Sequence, residues 1–427
     1  MLTYEETLDF LYHLEIERMD LKLERVADAL QGCGSPHLRF PALHVAGTNG
    51  KGSTASLLHA MLSAAGYRVG LFTSPHLVDF CERIRLGNRQ ISQSEVIAGV
   101  AELRALVESV GIHLTPFEMM TLLAFQAFAR EHVDVAVVEV GLGGRLDATN
   151  VLSPLAAIIT SIGLDHQAYL GPTVAHIARE KGGIIKPRTP VVIGRMDEES
   201  ASILREIARE KESPIVCCGE HFRMEPNLWG GVDYKGWSRQ LSDIQVGLRG
   251  HFQYDNAAVG LATLEMLQDV LPVAESSLRS GLLTASWPGR LDVVSEHPCV
   301  ILDGAHNPQA MAALLAALPK VLQGKKAKVL FSVMRDKDWR SMIPLLAKMA
   351  TEVVVTRVQQ PRAEEPQVLS EALASFCPTR IRLDARAACR QLMTEAQADE
   401  AIVVCGSLFL VGEVYSLFAS SHELSSV

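Results

Sequence analysis

The sequence predicts an α/β protein of two domains, a larger N-terminal one on a mostly parallel sheet and a smaller C-terminal one. Three observations carry that expectation. Apolar runs such as VDVAVVEV at 133–140 and LAAIITSI at 155–162 are nearly unbroken, which suits parallel strands covered on both faces by helices. Strand-type and helix-type segments alternate along most of the chain, the signature of βα units. The length of 427 residues exceeds what one ordinary core organises.

The elements follow in order. Residues 4–16 and 20–31 carry helical spacing of apolar positions. ALHVA at 42–46 is a short buried-type strand, 54–65 an amphipathic helix ended by Gly66, and YRVGLFT at 67–73 the next strand. Helices are expected over 94–109, 117–130, 173–185 and 200–211. The run from Leu228 to Gly250 mixes aromatic and β-branched residues with glycines, which predicts antiparallel strands or an irregular insert. Helices return at 255–268 and 275–283, and a fresh βα alternation begins at Val300. There a strand runs into DGAHN and a helix spans 308–318. Strands at 327–333, 352–356 and 401–405 then alternate with helices at 339–349, 366–376, 386–397 and 408–420. The domains are expected to be 1–294 and 295–427, divided within 288–298.

Charge and composition narrow the function. Forty basic against forty-nine acidic side chains give −9, and no Lys/Arg run offsets that sign, so non-specific nucleic-acid binding is not expected. Eight cysteines without a CxxC pair do not form a disulfide framework; Cys299 and Cys405 fall in expected strands, as small buried groups. The polar start MLTYEETLDFLYHLE is not a signal peptide, and the apolar stretch 155–162 is too short to cross a bilayer. A cytoplasmic protein with no membrane partner is expected.

The segment HVAGTNGKGST at 44–54 stands between an expected strand and an expected helix. Gly47, Gly50 and Gly52 allow a tight turn whose N–H groups converge, and the helix start adds its own unsatisfied N–H groups. Lys51 supplies a mobile charge for terminal phosphates, and Ser53 or Thr54 a hydroxyl for Mg²⁺. A strict GxxxxGK[ST] pattern fails, because Val45 replaces the first glycine and Gly52 separates Lys51 from the hydroxyl. An ordinary Gly-rich turn with a solvated lysine is the alternative; the density of glycines and the strand–turn–helix order weigh against it. Three further strand ends present Ser74, Glu139 and His166. In open parallel sheets, ligands gather at the carboxyl ends of strands, and magnesium favours hard oxygen donors.

Together HVAGTNGKGST, TSPHL, EVGLGGRLDATN, TSIGLDHQAYLG, IAREKGGIIKP and DGAHNP resemble the folylpolyglutamate synthase/dihydrofolate synthase family of the Mur ligase superfamily, in order from about residue 20 to about residue 415. The resemblance implies a Mur-ligase-like N-terminal ATPase domain with a P-loop and a Rossmann-like C-terminal glutamate-ligase domain. It implies ligation of a carboxylate to the amino group of L-glutamate, driven by ATP through an acyl phosphate.

Carried onto this chain, Gly47, Thr48, Asn49, Gly50, Lys51, Gly52 and Ser53 hold ATP phosphates. Ser74 and Glu139 resemble ligands of one magnesium, and His166 a ligand of a second. Lys181 resembles a lysine that is commonly carbamylated in the family, its carbamate joining the second ion; a plain cation paired with Glu180 or a phosphate is the alternative. Asn256 and Arg290 resemble phosphate contacts, although Phe252 stands where the family usually has His. Asp303 resembles the ATP ribose or nucleotide contact. His306 resembles the histidine at the phosphate and substrate end; it or a nearby carboxylate would take the proton of the incoming amine. Lys51, Glu139, His166, Lys181 and His306 are the expected catalytic set.

The pterin-bearing substrate is expected near Pro75, His76, Phe117 and Asp147, with Phe72 and Phe80 as further candidates for stacking. Ala148 after Asp147 resembles members that act on dihydropteroate as well as on reduced folates, so a bifunctional enzyme is favoured over a polyglutamylation-only one. A peptidoglycan-precursor ligase ordinarily has an extra N-terminal domain, which a loop at residue 47 leaves no room for. A non-enzymatic nucleotide switch would leave Ser74, Glu139, His166 and Lys181 without a common purpose. No coiled coil or exposed apolar repeat appears, so a monomer is expected.

Overall fold

The computed structural model describes residues 2–14 and 23–418, so residues 15–16, 20–22 and 419–420 of the expected terminal helices fall outside the described residues. The strands in chain order are β1 (Ala42–Ala46), β2 (Val69–Phe72), β3 (Ile84–Leu86), β4 (Arg89–Gln90), β5 (Val135–Glu139), β6 (Ala156–Ile159), β7 (Val191–Ile193) and β8 (Ile215–Cys217). They form one sheet in the order β4-β3-β2-β5-β1-β6-β7-β8. From β2 to β8 neighbouring strands pair in parallel; only the β2–β3–β4 edge is antiparallel. All residues of β1, β2, β5 and β6 are buried, as their unbroken apolar runs require. The expected insert contains two antiparallel strands, β10 (Val232–Lys235) and β11 (Gln240–Ile244), and the small sheet begins earlier than expected, with β9 (Arg223–Pro226) pairing antiparallel to β10.

A second sheet contains β12 (Asp292–Glu296), β13 (Cys299–Leu302), β14 (Lys326–Phe331), β15 (Ala350–Arg357), β16 (Thr379–Asp384) and β17 (Glu400–Cys405), in the order β12-β13-β17-β14-β15-β16. Its strands are parallel except for the antiparallel β12–β13 pair. The architecture is α/β with mostly parallel sheets. Cys299 and Cys405 are buried thiols in β13 and β17.

The chain divides into two compact units, Met1–Gly247 with Gln253–Ser286, and Leu248–Phe252 with Trp287–Val427. That division falls ahead of the expected 294/295 boundary. The reason is β12, whose backbone pairs with β13 and so ties residues from 292 onward to the second sheet. Each unit has its own apolar core: Phe40, Phe72, Phe125 and Phe128 sit in one, and Ile301, Met311, Phe331 and Trp339 in the other. Among the described residues no helix is long and apolar enough to cross a membrane.

Candidate functional site

In the first sheet the parallel strands β2, β5, β1 and β6 are consecutive neighbours, so their carboxyl ends open on the same edge. Ser74 follows β2, Glu139 ends β5, the 47–53 loop follows β1, and His166 follows β6. The sheet therefore brings these four chain segments to one rim.

The loop is held in place by the segment after β6, which the sequence reading missed. Thr48 N–H donates to the Ser161 carbonyl (2.8 Å), and the Asn49 carbonyl accepts from Thr160 Oγ1 (2.6 Å) and Ser161 Oγ (3.0 Å). Gly47 has φ +153°, and a Cβ there would fall 2.0 Å from Thr160 Oγ1. Only glycine lets the backbone approach so closely. Gly50, at φ +84°, precedes the helix Lys51–Ala64, which has no side-chain cap. Its first-turn N–H groups thus remain donors for an anion. A Cβ at Gly50 would strike Asn256 Oδ1 at 2.3 Å, so Asn256 sits against the loop. Asn256 donates to Gln253 (2.8 Å), which in turn reaches Ser53 Oγ (3.4 Å).

Two lysines converge on one carbonyl. Lys51 Nζ lies 3.1 Å and Lys181 Nζ 2.8 Å from the Gly47 oxygen. Lys181 is 5% exposed. Burial, reinforced by the charge of Lys51, pushes its pKa down to about 7, against opposing pulls from Asp165 and Asp147. The expected alternative of a Lys181–Glu180 pair does not occur: Glu180 is paired with Arg145 at 2.8 Å. The side chain of Asp165 is 9% exposed and 4.0 Å from His166 Nε2. It is a further acidic group at this rim, adjacent in sequence to His166 and not singled out there.

Glu139 is 4% exposed, and its Oε2 accepts the Ser74 N–H at 3.2 Å. Burial lowers the pKa of Arg83, with Tyr12, Glu139 and Glu82 pulling the other way. Arg83 Nε donates to His76 Nδ1 at 2.8 Å. The His76 ring therefore carries its own proton on Nε2, and burial, then Arg83, pushes its pKa down to about 4. Phe117 lies over Gly141, where a Cβ would meet ring carbon Cζ at 2.4 Å, and its ring is 5.8 Å from that of Phe72. Phe72 and Phe80 are 0% and 1% exposed; they pack the core and have no face left for stacking on a substrate. Pro75 is exposed and Phe117 half-buried. Asp147 is buried, its carboxylate accepting N–H groups of Leu142 (2.8 Å) and Thr149 (3.0 Å).

The donors fit magnesium in kind: Glu139, Ser74 and Ser53 offer hard oxygens and His166 an imidazole. A different cluster, Cys217, Glu220 and His221, has ligand atoms within 4.8 Å of one another. There Arg205 already meets Glu220 at 3.2 Å and the Cys217 N–H occupies His221 Nδ1, so charge and lone pair are used.

In the second unit, Arg290, Asp303 and His306 gather where β13 ends. Asp303 is 5% exposed, and its oxygens accept the Leu291 and Ala305 N–H groups, each at 2.8 Å. Burial raises its pKa and Arg290 opposes that. Gly304 leaves room for the guanidinium: a Cβ would lie 2.0 Å from an Arg290 nitrogen. His306 Nδ1 lies 2.8 Å from the Gly304 carbonyl. A carbonyl only accepts, so Nδ1 carries a proton.

Comparison with known proteins adds the following. The Mur ligase middle domain matches residues 45–264, and the Mur ligase glutamate ligase domain matches residues 289–408. The chain is 35% identical to a Bacillus subtilis dihydrofolate synthase/folylpolyglutamate synthase, over 92% of this chain and 94% of that protein. It is 34% identical to the Escherichia coli dihydrofolate synthase/folylpolyglutamate synthase, over 95% and 93%. Among solved structures, E. coli FolC in complex with DHPP and ADP superposes with a TM-score of 0.91, at 32% identity and 99% coverage of each chain. The Yersinia pestis bifunctional enzyme complexed with AMPPNP and Mn ion gives a TM-score of 0.89, at 35% identity, covering 99% of this chain and 98% of that one.

Proposed function

The chain belongs to the dihydrofolate synthase/folylpolyglutamate synthase family of Mur ligases, and from that premise we propose that it is a bifunctional ATP-dependent ligase. It joins L-glutamate to dihydropteroate and extends the glutamate chain of reduced folates. The observation that carries this reading is the rim: Lys51 and Lys181 on one carbonyl of the glycine loop, with Glu139 tied to Ser74 on the neighbouring strand ends.

A carboxylate resists amide formation because oxide would have to leave. Transfer of the γ-phosphoryl group from ATP to the carboxylate oxygen makes inorganic phosphate the leaving group instead. The neutral amine of glutamate then adds to the acyl carbon, and the bond to phosphate breaks as the amide forms. Residues 47–53 bind and orient the phosphates through backbone N–H groups, Lys51 follows the charge of the moving group, and Asn256 and Arg290 contact the nucleotide. Ser74, Glu139, His166 and Lys181 would hold two magnesium ions, which supply charge screening at the terminal phosphates. With a pKa of about 7, Lys181 has an appreciable share of neutral amine, the form that adds CO₂, losing one proton to give a carbamate. His306 or a nearby carboxylate would accept the proton of the attacking amine. Asp303 braces residues 291 and 305 and so shapes the nucleotide contact of Arg290.

Pro75, His76 and Phe117 bound the pterin side, with Asp147 shaping the loop behind them. The protein acts as a monomer in the cytoplasm, with the first unit serving ATP and pterin and the second serving glutamate. The test is MgATP-dependent incorporation of labelled glutamate, run in parallel with dihydropteroate and tetrahydrofolate. Product from both is expected. Product from tetrahydrofolate alone restricts the enzyme to polyglutamylation, and product from neither overturns the proposal.

A further inference from the structure

His44 is a buried polar residue that the chemistry above does not use. It lies in β1, three residues before Gly47, and is 0% exposed, so it touches no ligand. Its Nε2 is 2.8 Å from Thr149 Oγ1, a partner 105 positions later in the chain. Thr149 Oγ1 is also in hydrogen-bond contact with Asp147 Oδ1, which additionally accepts the Thr149 N–H. Asp147 Oδ2 takes the Leu142 N–H, and the Gly141 backbone also bonds this carboxylate.

The direction of the chain can be read from its protons. The threonine hydroxyl has one hydrogen, and two acceptor-type neighbours would leave one contact without any. Given to His44, that hydrogen would leave two oxygens, Thr149 Oγ1 and Asp147 Oδ1, facing each other bare. Given to Asp147, it requires His44 to donate from Nε2. His44 Nδ1 then keeps its lone pair, and that atom has no hydrogen-bond partner. A bare acceptor there costs less than a stranded N–H.

We infer that His44, Thr149 and Asp147 form a buried positioning chain that fixes the 141–149 loop, and through it the affinity for the pterin-bearing substrate. Asp147 acts through the loop: up to four internal donors use the lone pairs of a carboxylate, so its side chain is a latch rather than the substrate contact expected from the sequence. This inference rests on the assignment of that loop to the pterin side.

The experiment compares His44→Phe, Thr149→Val and the double variant with the wild type. It measures KM for dihydropteroate, tetrahydrofolate, ATP and glutamate, together with amide hydrogen exchange at Leu142 and Thr149. Each single variant is expected to raise KM for both pterin substrates about tenfold, the scale of one lost hydrogen bond in a charged network. KM for ATP should not move, although His44 is on the strand that enters the phosphate loop. The two substitutions should be non-additive, His44→Gln should restore much of the loss, and the two amides should exchange faster. Equal rises in all KM values, or unchanged pterin KM and exchange in folded variants, overturn the inference. If Leu142 and Thr149 exchange faster while pterin KM stays at the wild-type value, the chain holds the loop but the pterin assignment fails, and the affinity inference fails with it.

Discussion

The ends of β1 and β13 are alike in position and opposite in state. Each is the carboxyl end of a buried strand in a mostly parallel sheet, and each carries candidate nucleotide contacts. After β1, two ammonium groups share a single backbone carbonyl at 3.1 and 2.8 Å, and burial with mutual repulsion lowers the pKa of one of them. That concentrates positive charge at one point, with Asp165 and Asp147 pulling against it, and an anion would relieve it. After β13, a single buried carboxylate is matched by two N–H groups at 2.8 Å and by Arg290. One end is built to answer a ligand, the other to hold its own backbone still.

Substitutions should separate the two ends. The largest loss belongs to Glu139→Gln, which removes charge from the ligand-facing rim. Turnover should fall about 10²- to 10³-fold, the scale of one electrostatic contributor to a transition state, as read by steady-state kcat on protein with wild-type circular dichroism.

Lys181→Met comes next, and its signature is a dependence on pH. The lysine pKa falls from 10.5 unfolded to about 7 folded, so folding excludes a proton. The resulting penalty is complete below about pH 7 and vanishes above about 10.5. Wild-type stability should therefore rise across that window. The methionine variant should lack the slope and be the more stable protein at pH 6, while losing activity. Denaturant melts at pH 6 and 9, in buffer free of bicarbonate and divalent metal, check this.

Asp303→Ala should act chiefly on folding. It strands two buried N–H groups and should cost about 3 kcal/mol, seen as a lowered denaturation midpoint. If it spares stability and raises only the KM for ATP, the contrast between the two ends is wrong. Smallest is Ser74→Ala, because the contact with Glu139 is made by the backbone N–H and survives. Only the hydroxyl is lost, so kcat should fall about tenfold with unchanged thermal stability.

Much of this contrast was legible in the sequence, for a physical reason. Strands buried on both faces are nearly all apolar, so β1, β5, β6, β13 and β17 stood out, and the residues at their ends could be named from chain order alone. Strands β7 and β8 have three residues each, too short for a pattern. Edge strand β16 reads TRIRLD and is half-exposed to exposed, so polarity hid it. The expected 294/295 division fell a few residues late because an antiparallel partner, not a composition shift, assigns β12 to its sheet.

Among site residues, periodicity reports that a position is buried but not what it meets. Phe72 and Phe80 therefore passed as stacking surfaces. Arg83 lay in an otherwise ordinary CERIRL run, and only the fold shows it beneath His76 and Glu139. Thr160 and Ser161 did carry a signal, two hydroxyls at the end of an apolar strand, which parallel-sheet geometry turns toward the phosphate loop.

The central claim is that the ends of β2, β5, β1 and β6 jointly hold metal-bound terminal phosphates. Manganese titration monitored by electron paramagnetic resonance, with a non-hydrolysable ATP analogue present, tests it most directly. Wild-type protein should bind two Mn²⁺ per chain, and His166→Ala and Glu139→Gln should each lose one. Unchanged stoichiometry and affinity in both variants would contradict the claim.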